Sequence, residues 1–258
     1  MDILYMVFFF ILGSIMGSFY AVVGLRLPKK ENFINSRSHC DTCKRELAFY
    51  DMIPILSYII YRGRCRYCKA KIPPILFLSE ISTGLLFMVS YYSFGFSIDL
   101  LVALGIVSLL IIVIVSDVSY FIIPDEVLIF FTIYFIVFDF IKLGFSGTCH
   151  RILGAIFLFL LMYAISLIGK AIFKKEALGG GDVKLLFLFG LVLEPVLGVF
   201  SIFLGSLIAL PVAIIILLTN KEHIVPFGPF LLIAFLIIYF SKISVSDFIN
   251  FLRFTSMK

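Results

Sequence analysis

Residues 98–117, IDLLVALGIVSLLIIVIVSD, carry no charge from Leu100 to Ser116 and then stop on an aspartate. About 20 apolar residues is the length that crosses a bilayer as a helix, so the stretch reads as a membrane span. The chain as a whole agrees with that reading. It is 62% hydrophobic and 14% charged, with a mean hydropathy of +1.16. That composition excludes an ordinary soluble domain. Its 258 residues leave room for about eight spans of roughly 20 residues joined by short connections.

Apolar runs of spanning character occur near residues 3–25, 75–94, 98–117, 121–141, 151–173, 183–193, 196–218 and 226–241. The expected fold is therefore an all-α polytopic membrane protein with about eight transmembrane helices. The first run lacks a basic leading region and stays apolar too long for a signal peptide, so it reads as a retained span. The sixth is short, stopping before Glu194 and Pro195. It either reaches back into the glycines before it or is a tilted half-span. The expected parts are residues 1–26 as the first helix, 27–73 as a loop, and 74–258 as the membrane core.

A net charge of +5 gives no reason to expect nucleic acid, because the basic residues cluster beside spans, as the positive-inside rule requires. Lys29, Lys30, Arg37, Lys44, Arg45, Arg62, Arg64, Arg66, Lys69 and Lys71 all fall between the first and second spans. That loop is expected in the cytoplasm. Counting spans from it places the loop near 144–150 outside and residues 174–182, with Lys174 and Lys175, inside again; Lys221 agrees. Asp117 and Asp182 then lie at the same, cytoplasmic, face.

The loop contains HCDTCKRELAFYDMIPILSYIIYRGRCRYCKAK, residues 39–71, in which Cys40, Cys43, Cys65 and Cys68 form two CxxC pairs separated by 21 residues. Paired CxxC spacing lets each half chelate one side of a tetrahedral zinc ion. A cytoplasmic loop stays reduced, which disfavours disulfides. Four thiolates leave no position for water, so the zinc is read as a structural staple for a module too small to hold a core alone. His39 reads as a surface neighbour rather than a ligand. Cys149 stands apart with no assigned role. Between the pairs, DMIPILSYIIY (51–61) is too short to cross a bilayer and reads as a helix on the membrane surface or beneath the cysteines.

A carboxylate in a span costs roughly 2.5–3.5 kcal/mol at mid-membrane, so each one asks for a function or a partner. Asp117 and Asp182, brought to one face, suggest an aspartic protease dyad, in which one carboxylate takes a proton from water while the other donates to the scissile carbonyl. Glycines 179–181 permit positive φ and close approach of a substrate backbone. From position alone, Asp182 serves equally as a helix cap and Asp117 as a solvated charge. Asp125 follows Pro124 as a first-turn helix residue. Lys184 reads as snorkelling to headgroups rather than pairing, and Glu80, inside the second span, needs a polar partner.

Together these residues resemble the type IV prepilin peptidase family, bifunctional leader peptidases and N-methyltransferases of pilus and type II secretion systems, whose members are GxGD-type membrane aspartic proteases. GSFYAVVGLRLP (17–28), RSHCDTC (37–43), IPILSYIIYRGRCRYC (53–68), SDV and IPDE around Asp117, GGGDVKL (179–185) and PFGPFL (226–231) look like its successive motifs. The resemblance implies that Asp117 and Asp182 are the catalytic pair. It implies a prepilin or pseudopilin substrate cut after a glycine at the cytoplasmic face of the bacterial inner membrane. The new amino terminus is then methylated from S-adenosylmethionine, with residues 27–73 as the part tied to methylation. One departure stands out: the family's GSFLNV has Tyr20 and Ala21 in its last variable and asparagine positions here. No glycine-rich dinucleotide fingerprint marks the methyl-donor site. Glu80 and the region around Gly63 are its candidates.

Two other readings share the intramembrane acids. A presenilin-like protease with other substrates does not call for the four-cysteine loop, and an ion- or proton-coupled transporter calls for interrupted spans in corresponding halves, which are absent from the sequence. Which prepilin is cut and in what oligomeric state are not written in the sequence.

Overall fold

A computed structural model of the chain describes residues 2–32, 38–40, 42–174, 179–219 and 226–247. Arg37, Lys175 and Lys221, used above to orient the chain, lie outside those residues. The regular structure among the described residues is helical, apart from isolated bridges His39–Glu46 and Arg64–Lys71, and turns and irregular segments join it. The order is α1 (Asp2–Arg26), α2 (Leu56–Ile60), α3 (Pro74–Phe94), α4 (Ile98–Tyr120), α5 (Asp125–Phe173), α6 (Gly180–Val192), α7 (Pro195–Thr219) and α8 (Gly228–Ser241).

Among the described residues, five helices are long and apolar enough to cross a membrane: α1, α3, α4, α5 and α7. The sequence reading of about eight differs for two reasons. The fourth and fifth runs share the 49-residue α5, whose one departure from helical backbone is Gly144 at φ 69°, ψ −175°. The expected loop near 144–150 is thus helical except at that glycine, and the Thr148 hydroxyl donates to the Gly144 carbonyl at 2.8 Å. The other two, α6 and α8, have only 13 and 14 residues. Because α6 starts at Gly180, the sixth run does reach back into the glycines.

Lipid-facing chemistry is plain on α1. Ile3, Val7, Ile11, Ile15 and Phe19, four residues apart, are all exposed, while Phe9, Gly13, Gly17, Tyr20, Ala21 and Gly24 are buried on the other side. A water-soluble helix would have a polar outer stripe there.

The chain forms two compact units. The first comprises residues up to Leu100 together with Ile106–Phe121; the second comprises Leu101–Gly105 and everything from Ile122. In the first unit, α1 and α3 approach at small residues, as membrane helices do when no hydrophobic force drives them together. A Cβ added to Gly13 would lie 2.6 Å from the Thr83 carbonyl oxygen, and one on Gly17 2.7 Å from that of Ser79. A Cβ on Gly24 would lie 2.9 Å from the Ile112 carbonyl oxygen of α4. The family-type asparagine position, Ala21, is fully buried. Next to it, Ser108 of α4 donates to the Tyr20 hydroxyl at 2.7 Å, so the hydroxyl one position earlier makes the polar contact across α1 and α4.

In the second unit, α6 packs on α5, with Leu185, Leu186, Phe189 and Leu191 fully buried. A helix apolar on every side belongs inside. Phe189 stacks on Phe235 of α8 with centroids 4.2 Å apart, and Arg151 donates to the Val192 carbonyl at the end of α6, at 3.0 Å. The crossing depends on Gly190, where a Cβ would sit 2.3 Å from the Ala155 Cα. Gly190→Ala must therefore push two backbones apart, at an expected cost of about 1–3 kcal/mol. A clear fall in the melting temperature of the full-length protein in detergent is expected; an unchanged value would mean that α5 and α6 do not cross there.

Candidate metal centre and active-site carboxylates

The loop between α1 and α3 folds as two similar knuckles. In the first, the Cys40 amide donates to the Arg45 carbonyl at 3.0 Å and the Lys44 amide to the Cys40 carbonyl at 2.8 Å. In the second, the Cys65 amide donates to the Ala70 carbonyl at 2.8 Å and the Lys69 amide to the Cys65 carbonyl at 3.0 Å. Each turn closes with a lysine in the left-handed region, Lys44 at φ 56° and Lys69 at φ 60°. The repeated CxxCK string is the sequence signal for this pairing.

Each knuckle turns its sulfurs to the same point, so that the four sulfur atoms lie within 4.8 Å of one another, with Cys40 and Cys68 3.7 Å apart. A tetrahedron with zinc–sulfur bonds near 2.3 Å has edges of about 3.8 Å. The donor set therefore fits zinc, and all four cysteines are free thiols. His39 is bridged through its backbone to Glu46, and the four-sulfur set closes without it. The Cys43 amide above all, with Thr42's, lowers the Cys40 thiol to about 6. At Cys68 the Ala70 amide pulls downward, but burial and the other three sulfurs outweigh it and raise the thiol to about 11. Four thiols this close cannot all ionise unaided, and a divalent cation is what allows them to. Around them, Arg45 lies 4.0 Å over the Tyr67 ring and Arg66 4.8 Å over Tyr50.

Glu80, in α3, finds partners both in the loop and in a neighbouring helix. Its Oε2 accepts the Ile55 amide at 2.7 Å, and Ser18 of α1 also bonds the carboxylate. Ile55 is unusual: a β-branched residue at φ 64°, ψ −53°, in a tight γ-turn closed by Leu56 N–H to the Pro54 carbonyl at 2.6 Å. Such a turn is rare and strained, and the Glu80 acceptor helps to hold it. Glu80→Gln keeps an acceptor oxygen, whereas Glu80→Ala leaves the amide unpaired at about 1–3 kcal/mol. Proteolysis of the loop is expected to quicken in the alanine variant and to stay near wild type in the glutamine variant. Equal behaviour of the two would sink this role.

The two aspartates belong to different units, and each is described in its own surroundings. Asp117 occupies the last turn of α4 and is 6% exposed. Directly after it the chain turns away through Phe121, at φ 55°, whose amide donates to the Asp117 carbonyl at 2.8 Å. Asp182 occupies the first turn of α6 and is 8% exposed. Opposite helix ends thus face the two acids, the negative end at Asp117 and the positive end at Asp182.

The glycines before Asp182 act through closeness. None of the three has positive φ, contrary to the sequence reading. A Cβ on Gly179 would lie 3.2 Å from Asp182 Oδ2, and one on Gly181 2.9 Å from the Ile123 Cβ, whereas Gly180 faces open space. The chain start of α6 is therefore wedged beside Ile123, with the carboxylate folded back over Gly179. Lys184 does not snorkel. It forms a two-pronged ion pair with Asp125, at 2.6 and 2.8 Å, and Asp125 opens α5 after Pro124 as the sequence indicates. Both side chains are at least half exposed, so the pair adds little stability.

Comparison with known proteins divides the chain between α3 and α4, which puts Asp117 and Asp182 in one matched region. Residues 11–94 match the Bacterial Peptidase A24 N-terminal domain, and residues 104–214 match the Type IV leader peptidase family. The prepilin leader peptidase/N-methyltransferase of Bacillus subtilis (strain 168) is 33% identical over 242 residues, 93% of this chain and 95% of that protein. The protein of the same name from Vibrio cholerae is 28% identical over 251 residues, 93% of this chain and 98% of its own length. That from Neisseria gonorrhoeae is 29% identical over 268 residues, covering 93% and 92%. No solved structure matches the chain. With the greater part of its length aligned to such relatives, this multi-pass membrane chain belongs to the type IV leader peptidase family.

Proposed function

We propose that this chain is a membrane aspartic endopeptidase that cuts the leader from type IV prepilins or pseudopilins, and that it N-methylates the amino terminus so exposed. The observation that carries the reading is a pair of buried carboxylates, Asp117 and Asp182, at helix ends in a chain with this family membership. The two halves of α5 on either side of Gly144 count as two spans, and α6 and α8 as short ones, giving eight. With the basic loop inside, α4 then ends and α6 begins at the cytoplasmic face of the inner membrane. A prepilin, whose apolar helix lies in the bilayer and whose basic leader lies in the cytosol, presents its cleavage point at that level.

In the proposed reaction one carboxylate takes a proton from water as the water attacks the carbonyl carbon. The other gives its proton to the carbonyl oxygen. The tetrahedral intermediate then collapses, and a proton passes to the leaving amine, which becomes the new amino terminus. Gly180, open on its Cβ side, leaves room for a substrate backbone beside Asp182.

Bound zinc at Cys40, Cys43, Cys65 and Cys68 supplies a fixed junction between the two knuckles and no reactive water. S-adenosylmethionine supplies a methyl group when bound. A cavity of about 390 Å³ beside Gly63 and Tyr58 is of a size to hold a small cofactor. Incubating the purified full-length protein with a prepilin and the methyl donor, and reading the product by mass spectrometry, tests both halves. Cleavage after a glycine with a methylated new terminus is expected. An uncut prepilin would refute the peptidase assignment.

A further inference from the structure

The segment between the two cysteine pairs carries an apolar ridge that neither the sulfur centre nor the carboxylates use. Phe49 is 81%, Leu56 56%, Ile59 56% and Ile60 68% exposed, and Met52 extends the same ridge at 41%. An apolar surface of this extent marks something that covers it.

The depth of the segment identifies the cover. Glu80, which holds the Ile55 amide at 2.7 Å, lies six residues beyond the start of α3 at Pro74, or about 9 Å along the helix axis. Tyr58 stacks on Phe77 of the same helix at 4.5 Å. On α1, Ser18 bonds Glu80 from eight residues before the helix ends at Arg26, about 12 Å by the same rise. With 21 residues, α3 is only just long enough for a hydrocarbon layer of about 30 Å. Its first turn must therefore stand at the boundary, and Ile55 and its neighbours lie at or beneath that level. On the same two spans Leu78 and Phe19 are exposed as well. Exposed Arg62, Arg64 and Lys71 follow it in the chain.

We propose that residues 49–60 are an interfacial wedge, with the Phe49–Ile60 ridge seated in the acyl–headgroup boundary of the leaflet that α1 and α3 cross, and Arg62, Arg64 and Lys71 on the phosphates of anionic phospholipids. Backbone at that depth must have its polar groups satisfied, which gives the Glu80–Ile55 bond its purpose. Basic residues beside a buried apolar face are the usual make-up of such surface segments. The wedge does not depend on the peptidase reading.

The chain contains no tryptophan, so an introduced one reports on its own site alone. Full-length Ile60→Trp and Leu56→Trp, with Glu46→Trp as the aqueous reference, are reconstituted in vesicles of phosphatidylcholine and phosphatidylglycerol brominated near the headgroup. Retained zinc serves as the folding check, and either ridge variant suffices. Quenching of the ridge tryptophan is expected to exceed that of the reference by about two-fold or more, and to grow with the share of phosphatidylglycerol. Replacing Arg62, Arg64 and Lys71 by glutamine is expected to remove that growth. Quenching equal to the reference would overturn the wedge. So would a blue-shifted but unquenched emission that follows protein density, marking a second copy, or one that appears only with added prepilin. Quenching indifferent to phosphatidylglycerol would overturn the headgroup assignment.

Discussion

Replacing Asp117 or Asp182 by asparagine is expected to stop leader removal, with a fall of about 10²–10⁴-fold in the cleavage rate for each single variant. Asparagine has the shape of aspartate and accepts hydrogen bonds, but it neither takes a proton from water nor gives one to a carbonyl oxygen. The double variant is expected to be no worse than either single one, because groups that act as a unit are not additive. Co-expression with a prepilin, followed by the mobility of the leader-bearing and mature forms, reads the result. Both variants should still reach the membrane and retain zinc, since neither residue belongs to the loop. Normal processing by either would remove that residue from the reaction. Glutamate in place of Asp182 is expected to fail as well, because one more methylene carries the carboxyl away from the position beside Gly179 that the aspartate holds.

Zinc content of about one ion per chain is expected to drop to near zero when Cys40 and Cys65 are both replaced by serine. The consequence for the loop should be large. Between Ser38 and Pro73, the described residues include only two buried ones, Gly63 and Cys65, so the loop has almost no core of its own. In small zinc modules the metal contributes on the order of 10–16 kcal/mol of binding free energy, and this is their folding energy. Limited proteolysis of the variant should cut within residues 27–73 and leave the membrane helices whole, because α1 and α3 meet through glycines and serines rather than sulfur. Methylation should be lost while a larger share of leader cleavage survives. Unchanged zinc and an unchanged digestion pattern would contradict the metal assignment. Equal loss of both activities would instead contradict the tie between this loop and methylation.

The parts of the protein that were legible in sequence are those set by local quantities. Hydropathy over twenty residues marked α1, α3, α4 and α7 to within a few residues of their observed ends. Two CxxCK strings carried both the ligand set and the turn that presents it, because a chelate of that size is closed by a handful of neighbouring residues. Other features were misread where a single residue's neighbours come from elsewhere in the chain. Lys184 looked like a side chain reaching for headgroups until α5 placed Asp125 2.6 Å from it. The segment near residue 144 looked like a loop because it is rich in small and polar residues, yet one glycine absorbs the whole departure from helix.

By itself, the order of residues determined that this chain lives in a membrane, that its basic loop carries two cysteine pairs able to chelate one metal ion, and that Asp117 and Asp182 are the acids to test. Those conclusions rest on transfer free energy and ligand spacing, which belong to short stretches. Only the tertiary structure decided that the 13-residue α6 is enclosed by α5 and α8, that Glu80 accepts the amide of a strained turn of the loop, and that Phe49, Leu56, Ile59 and Ile60 stand exposed. Each of these depends on which distant segments share a surface, and contact between distant segments is fixed by packing, which no local pattern encodes.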